Sequence, residues 1–280
     1  MSATFAFHQV DVFTDTPTRG NPLAVVVGAD ELSDDQMVRF AKWTNLSETT
    51  FLLRPTHPEA DYRVRIFTPG GELPFAGHPT LGSCHVWLAQ GGQTKGKHVV
   101  QECGVGLVAV RKDGLRLAFA APPLRRCGPV ISEVHAALAR ALRLSEKELL
   151  AAEWVDNGPG WVAVLLDNRS QVLALRPDFM AMGSYKVGVV GPWTAEDGDE
   201  AQFEVRAFAP GQGVNEDPVT GSLNASLAQW LIGSGRAPGS YVASQGTALG
   251  RRGRVHIEQE GETVWVGGHV AACIKGQLTL

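Results

Sequence analysis

The sequence predicts an α+β protein built from two related halves, each richer in strand than in helix. Three observations carry this. The 280 residues include 32 Gly and 16 Pro, which punctuate the chain at the short intervals of strands joined by tight turns. Hydrophobic residues make up 44% of the chain and charged ones 19%, which supplies a packed core and excludes wholesale disorder. Finally, a strand–loop–helix unit that begins near residue 65 recurs near residue 206. At roughly 100–200 residues per domain, the length suits two domains or one large one.

The opening run Phe5–Phe13 is dense in strand formers, and a Thr/Pro/Arg/Gly turn leads to a second strand, Leu23–Val27. Ser33-Asp34-Asp35-Gln36 has capping-box spacing, and Met37, Phe40 and Ala41 follow at helical intervals, so a helix is expected to end near Thr44. Asn45-Leu46-Ser47-Glu48 then turns the chain into a strand at Thr49–Leu53. Tyr62–Phe67 alternates as a strand, and Gly106–Phe119 reads as a hairpin around Lys112-Asp113-Gly114. Past Pro122-Pro123, Ser132–Arg143 is helical, with Val134, Leu138 and Leu142 on one face. Strands are expected at Trp161–Leu166, Val172–Leu175, Lys186–Val190, Gln202–Phe208, Val255–Ile257 and Val264–Val266. The Pro-rich stretch around 122–129 marks the domain boundary.

The repeat sets the architecture. Residues 65–91 read RIFTPGGELPFAGHPTLGSCHVWLAQG, and residues 206–235 read RAFAPGQGVNEDPVTGSLNASLAQWLIGSG. In each, a strand ends in Arg-x-Phe-x-Pro-Gly, a polar or Gly-rich loop and a Pro follow, and a Gly-Ser pair (Gly82-Ser83, Gly221-Ser222) opens an amphipathic helix containing Leu-Ala-Gln. Two halves of about 140 residues with one central helix each fit a duplication. The alternative is two unrelated α/β units that share common turn residues.

Composition excludes several functions. With 25 Lys+Arg against 29 Asp+Glu, the net charge of −4 offers no cationic field for a nucleic-acid backbone. Arg251-Arg252-Gly253-Arg254 reads as a solvated turn. No run approaches the ~18 apolar residues of a membrane span, and the first thirty residues hold no signal-peptide core. A soluble, cytoplasmic protein is therefore expected. Cys84, Cys103, Cys127 and Cys273 are scattered without metal spacing and read as small buried apolar residues, so no metal site is expected. There is no P-loop, no H-E-x-x-H and no G-x-S-x-G, and neither Gly104-Val105-Gly106 nor Gly211-Gln212-Gly213 has a third glycine at dinucleotide spacing. The tryptophans, Trp87 and Trp230 on the repeat helices included, read as packing residues.

Each repeat places a loop of Gly, Pro and polar residues before a helix N-terminus, where unpaired N–H groups and the helix dipole suit an anion. His78 stands at the first of these, Asp217 and Ser222 at the second. Asp217 and Ser222 could equally be helix caps, and His78 a satisfied loop histidine. Glu48 lies at a helix-to-strand turn before an apolar strand. Partial desolvation there would raise its pKa toward the range of a proton shuttle, whereas a solvated turn glutamate would have no such role.

At this point the motifs resemble a known family. Gly20-Asn21-Pro22-Leu23-Ala24-Val25-Val26, Asn45-Leu46-Ser47-Glu48-Thr49-Thr50-Phe51, Arg65–Pro69 with Glu72–Gly82, and Glu216-Asp217-Pro218-Val219-Thr220-Gly221-Ser222 are similar, in order, to the motifs of the PhzF family of phenazine-biosynthesis-type isomerases. The resemblance covers nearly the whole chain. It implies two pseudo-symmetric diaminopimelate epimerase-like domains, each a curved mixed sheet wrapped around a central helix, with the active site in the cleft between them. The expected domains are residues 1–124 with a returning strand at 269–280, and residues 125–268. Homodimers are usual in such a family. By motif, Glu48 becomes the catalytic acid/base, His78, Asp217 and Ser222 hold the substrate, Gly77 is a close backbone contact and Asn21 lines the site.

Epimerases of this fold use two cysteines, one in each helix-opening loop. Aligning the loops puts Ala76 and Pro218 at those places, and neither exchanges a proton. What the resemblance then implies is a cofactor-free isomerase. A single carboxylate would move a proton in a small carboxylate-bearing metabolite similar to trans-2,3-dihydro-3-hydroxyanthranilate and shift its double bond. The alternatives are an amino-acid epimerase of the same fold and a non-catalytic small-molecule binding protein.

Overall fold

A computed structural model describes residues 3–212 and 214–280 of the chain; Gly213, in the loop of the second repeat, lies outside the described residues. The chain forms two compact units, Met1–Ala120 with Gly267–Leu280, and Ala121–Val266. These divisions fall at 120/121 and 266/267, against the expected 124/125 and 268/269.

The first unit runs β1 (Thr4–Val12), β2 (Asn21–Val27), α1 (Asp34–Thr44), β3 (Glu48–Leu53), β4 (Tyr62–Thr68), β5 (Gly71–Leu73), α2 (Gly77–Ala89), β6 (Val99–Cys103), β7 (Gly106–Asp113) and β8 (Arg116–Ala120). Pairs β1–β2, β3–β4, β6–β7 and β7–β8 are antiparallel, while β2–β3 and β4–β6 are parallel, which makes a mixed sheet. α2 touches β1, β2, β3, β4, β6, β7 and β8. One helix can meet so many strands only if the sheet curves around it. Thr50 and Phe51, consecutive on β3, face opposite ways. Thr50 accepts a hydrogen bond from Ser83 on α2 (2.9 Å), and Phe51 joins Phe40 and Met37 of α1 in a core on the sheet's outer face. The Ser33 capping box opens α1 as the spacing predicts, and Asn45, left-handed at φ 53°, closes it and aims the chain into β3.

The second unit contains β9 (Arg126–Pro129), α3 (Ser132–Leu142), β10 (Ala151–Asp156), β11 (Trp161–Leu165), α4 (Arg169–Ala174), α5 (Phe179–Met182), β12 (Lys186–Pro192), β13 (Phe203–Ala209), β14 (Val214–Asp217), α6 (Gly221–Gly233), β15 (Ser240–Gln245), β16 (Gly253–Glu260) and β17 (Thr263–Gly268). Its sheet is ordered β9-β10-β11-β12-β13-β15-β16, with β14 hairpinned onto β13. α6 packs against β10, β11 and β16 on one face. Val187 and Val189 point to the other, into a core with Leu138, Val172 and Met182. The last strand, β18 (Val270–Thr279), pairs antiparallel with β1 and completes the first unit.

Several expectations are corrected. Val172–Leu175 is not a strand. Asn168 accepts a hydrogen bond from Gln171 N (3.0 Å) and caps α4, which turns Val172 into the core where a four-residue strand would find no partner. The central helices are not amphipathic: nine of the thirteen residues of each are buried, since the sheet surrounds them. α2 starts at Gly77, so Gly82-Ser83 lies more than a turn inside it. There Gly82 admits the close approach of Leu23, Val10 and Val12, where a Cβ would collide. Among the cysteines only Cys84 is buried; Cys127 and Cys273 are exposed, on the thinly covered strands β9 and β18. The basic run is not simply solvated, because Arg252 and Arg254 both bind the Glu200 carboxylate, at 3.0 and 2.9 Å.

Candidate active site

The two units build their helix-opening loops on one plan. In the first, Arg65 on β4 grips Glu72 on β5 through Nε and Nη2 (2.7 and 2.6 Å). In the second, Arg206 on β13 grips Glu216 on β14 in the same way (2.8 and 2.7 Å). Phe67 pairs with Glu72, and Phe208 with Glu216. From these matched pairs the two segments correspond without a gap, Leu73-Pro74-Phe75-Ala76-Gly77-His78 to Asp217-Pro218-Val219-Thr220-Gly221-Ser222. Ala76 and Thr220 are the N-caps of α2 and α6, and neither makes a side-chain cap bond. By this internal match the counterpart of Ala76 is Thr220, and neither carries a thiol. His78 and Ser222 become counterparts as second residues of their helices.

In the first unit the structure brings three expected residues together. Asn21 opens β2, Glu48 opens β3 on the parallel neighbour opposite Leu23, two residues further along, and His78 sits in the first turn of α2. His78 Nε2 lies 3.4 Å from Glu48 Oε2. Its Nδ1 lies 3.3 Å from Asn21 Nδ2, and Asn21 Oδ1 accepts from Ser47 Oγ at 3.3 Å. Asn21 is wholly buried, His78 is 4% exposed, and the Glu48 side chain is 16% exposed, so it is not a solvated turn residue.

Burial pushes the His78 imidazole down to about 3. The hydrogen bonds agree with a neutral ring. Ser47 donates to the Asn21 carbonyl, so the Asn21 amide nitrogen faces Nδ1 and donates to it, which an imidazolium could not accept. The ring proton then sits on Nε2, the nitrogen facing Glu48. Asn21 thus orients His78 rather than merely lining a wall. Gly77, buried beside His78, is the first residue of α2.

In the second unit Asp217 and Ser222 flank the start of α6, whose N-cap Thr220 makes no side-chain cap bond. Asp217 Oδ2 accepts from Thr220 Oγ1 at 2.5 Å. Ser222 Oγ accepts from the Trp161 indole at 3.1 Å, and its main-chain oxygen accepts from Asn157 Nδ2 at 3.0 Å. Trp161 therefore does more than pack. Ser47, Thr220, Trp161 and Gln245, which binds Thr220 and Asp217, are absent from the sequence-derived site. Ser47 and Thr220 stand inside the motifs, and their adjacency to Glu48 and Asp217 is the one signal available. Gln245 carries none, since its contact is made by strand pairing.

Two pseudo-symmetric curved mixed sheets, each with a buried central helix opened by an uncapped loop, define the diaminopimelate epimerase-like fold class. Within that class the chain belongs to the PhzF family: the phenazine biosynthesis-like protein family matches residues 10–276. It is 39% identical to antisense-enhancing sequence 1 of Schizosaccharomyces pombe, over 97% of this chain and 98% of that one. It is 35% identical to trans-2,3-dihydro-3-hydroxyanthranilate isomerase of Pseudomonas aeruginosa, again over 97% and 98%. A PhzF-family crystal structure from Enterococcus faecalis superposes with a TM-score of 0.81 at 27% identity, covering 99% of this chain and all of that one. The protein is an isomerase. Among the described residues no helix is long and apolar enough to cross a membrane.

Proposed function

We propose that the protein shifts a double bond in a small carboxylate-bearing metabolite similar to trans-2,3-dihydro-3-hydroxyanthranilate, by proton transfer at Glu48 and without a cofactor. The observation that carries this is the Ser47–Asn21–His78 chain, whose outer ring nitrogen lies 3.4 Å from the mostly buried Glu48 carboxyl. Glu48 in its acid form gives its proton to one carbon of the conjugated system, and the resulting carboxylate takes a proton from another. Substrate and product are isomers, so protons and electrons balance within the pair. Neutral His78 donates from Nε2 to whichever Glu48 oxygen is negative and keeps the carboxyl aimed through both half-steps. Asp217 and Ser222 hold the substrate's amino, hydroxyl or carboxylate groups, and the uncapped first turns of α2 and α6 offer N–H groups to an anion. Two-thiol epimerisation is disfavoured by alanine and threonine at the two N-caps. The active species is a cytoplasmic homodimer in this reading.

Solvent-deuterium incorporation into trans-2,3-dihydro-3-hydroxyanthranilate, followed by NMR, tests the assignment. Wild type is expected to exchange and isomerise it, and Glu48→Gln to lose about 10²–10⁴-fold in rate. Undiminished exchange by Glu48→Gln would remove Glu48 from the chemistry.

A further inference from the structure

We propose that Thr220 is a positioning residue for Asp217 and that Gln245 sets the direction of its hydroxyl. The inference deepens the reading of Asp217 as a substrate anchor and rests on it. A threonine at an N-cap ordinarily accepts a hydrogen bond from the first helical turn. Thr220 has the extended backbone of a cap, at φ −111° and ψ 102°, yet its hydroxyl makes no cap bond. Its Oγ1 is engaged elsewhere.

The buried Gln245 amide makes four hydrogen bonds to this loop and the helix behind it. Nε2 donates to Thr220 Oγ1 (3.0 Å) and to the Asp217 main-chain oxygen (3.1 Å). Oε1 accepts from Thr220 N (3.0 Å) and Asn224 Nδ2 (2.8 Å). Only one orientation of the amide satisfies all four, because reversing it sets N–H against N–H and oxygen against oxygen. With Gln245 donating to Oγ1, the single proton of the Thr220 hydroxyl is left for Asp217 Oδ2, 2.5 Å away. Thr220 thus forgoes its own cap bond and delivers one donor to one carboxylate oxygen. Asp217 is thereby held in a single rotamer at the mouth of α6, and an anchor has to be so held to act on a substrate in one pose.

The test is a double-mutant cycle on the intact protein with Thr220→Val, which keeps the shape and removes the hydroxyl, Asp217→Asn and the double variant, with Thr220→Ser as the rescue. In turnover of trans-2,3-dihydro-3-hydroxyanthranilate, Thr220→Val should lower kcat/KM by about 10–100-fold. Thr220→Ser should recover most of that, and Thr220→Val should cost almost nothing further once Asp217 is Asn. An equal loss in the Asp217→Asn background, or a serine variant as impaired as the valine, overturns the proposal. The same cycle in urea unfolding, run with Asp217→Ala because an asparagine oxygen would still accept from the hydroxyl, needs no substrate, and its expected coupling is about tenfold in the unfolding constant. Additive unfolding effects overturn the contact itself. Coupling in unfolding combined with a fully active Asp217→Asn overturns the anchor reading instead.

Discussion

The two helix-opening loops share a frame and differ in what it carries. Arg65–Glu72 and Arg206–Glu216 have the same two-bond geometry on the same strand pairing, yet the surroundings diverge. Arg65 turns its third nitrogen, Nη1, to the Asp34 carboxylate at 2.6 Å, at a site open enough that the Glu72 side chain is 43% exposed. Arg206 spends its own on the Val172 and Leu175 carbonyls, and both members of its pair are more than nine-tenths buried. Beyond the bracket the first loop presents a neutral imidazole and the second a carboxylate with its hydroxyl donor. What repeats is the device that fixes the backbone before the helix. What has diverged is the pair of side chains at the helix mouth.

The largest test of this comparison is to break each bracket at its glutamate. Glu216→Ala leaves the Arg206 guanidinium buried beside two carbonyls and should destabilise the fold by about 3–5 kcal/mol. Glu72→Ala leaves Arg65 paired with Asp34 and partly solvated, and should cost about 1 kcal/mol or less. Urea unfolding of the two variants gives the ratio directly. Equal losses would mean that burial does not distinguish the brackets.

A second asymmetry is pH dependence. His78 is neutral in the folded protein, with its pKa at about 3 against an ordinary 6.5. Below pH 6.5 the unfolded chain binds a proton that folded His78 refuses, so stability falls as pH drops from 6.5 toward 3, by up to about 1.4 kcal/mol per unit. Above 6.5 the ring is neutral in both states and contributes no slope. His78→Gln should therefore flatten the stability–pH curve in that window. Ser222→Ala, the counterpart in the second unit, should leave the slope as it is. A His78→Gln curve as steep as wild type would assign the slope to other groups.

Much of the frame was legible in the sequence. Strand formers between Gly/Pro turns, the Ser33 capping box and the Arg-x-Phe-x-Pro-Gly repeat all rest on local pattern, and the structure places strands, helix and bracket there. The repeat fails in register past the loop. Matching letters puts Gly82-Ser83 beside Gly221-Ser222, whereas the bracket pairs His78 with Ser222, five residues earlier. Small residues recur in buried helices for packing, so their strings align without structural equivalence. β15 escapes detection because Ser240–Gln245 alternates weakly and takes its place only by pairing with β13 and β16. Gln245 goes unseen with it. The motifs point to Glu48, His78 and Asp217, but the hydrogen-bond direction at each depends on partners as much as 57 residues away, as in Asn21–His78.

The smallest expected effect concerns the caps. α1 carries a full Ser33 box, while α2 begins at Ala76 with no side-chain cap and leaves its first N–H groups unclaimed by its own loop. The Ala76 backbone is already extended, at φ −153° and ψ 143°, so a serine there could accept from the His78 N–H, the one cap donor left because Pro79 has none. Ala76→Ser should stabilise the protein by about 0.5–1 kcal/mol in urea unfolding. If the α2 N-terminus receives the substrate's anionic group, the new hydroxyl competes for the same donors and KM should rise several-fold with kcat little changed. Ser33→Ala, at the cap of a helix that carries none of the proposed site residues, should lose about 1 kcal/mol and leave KM alone. A more stable Ala76→Ser protein with unaltered KM would place the substrate's charge elsewhere, and the absent cap would then be a trait of the buried helix rather than of the site.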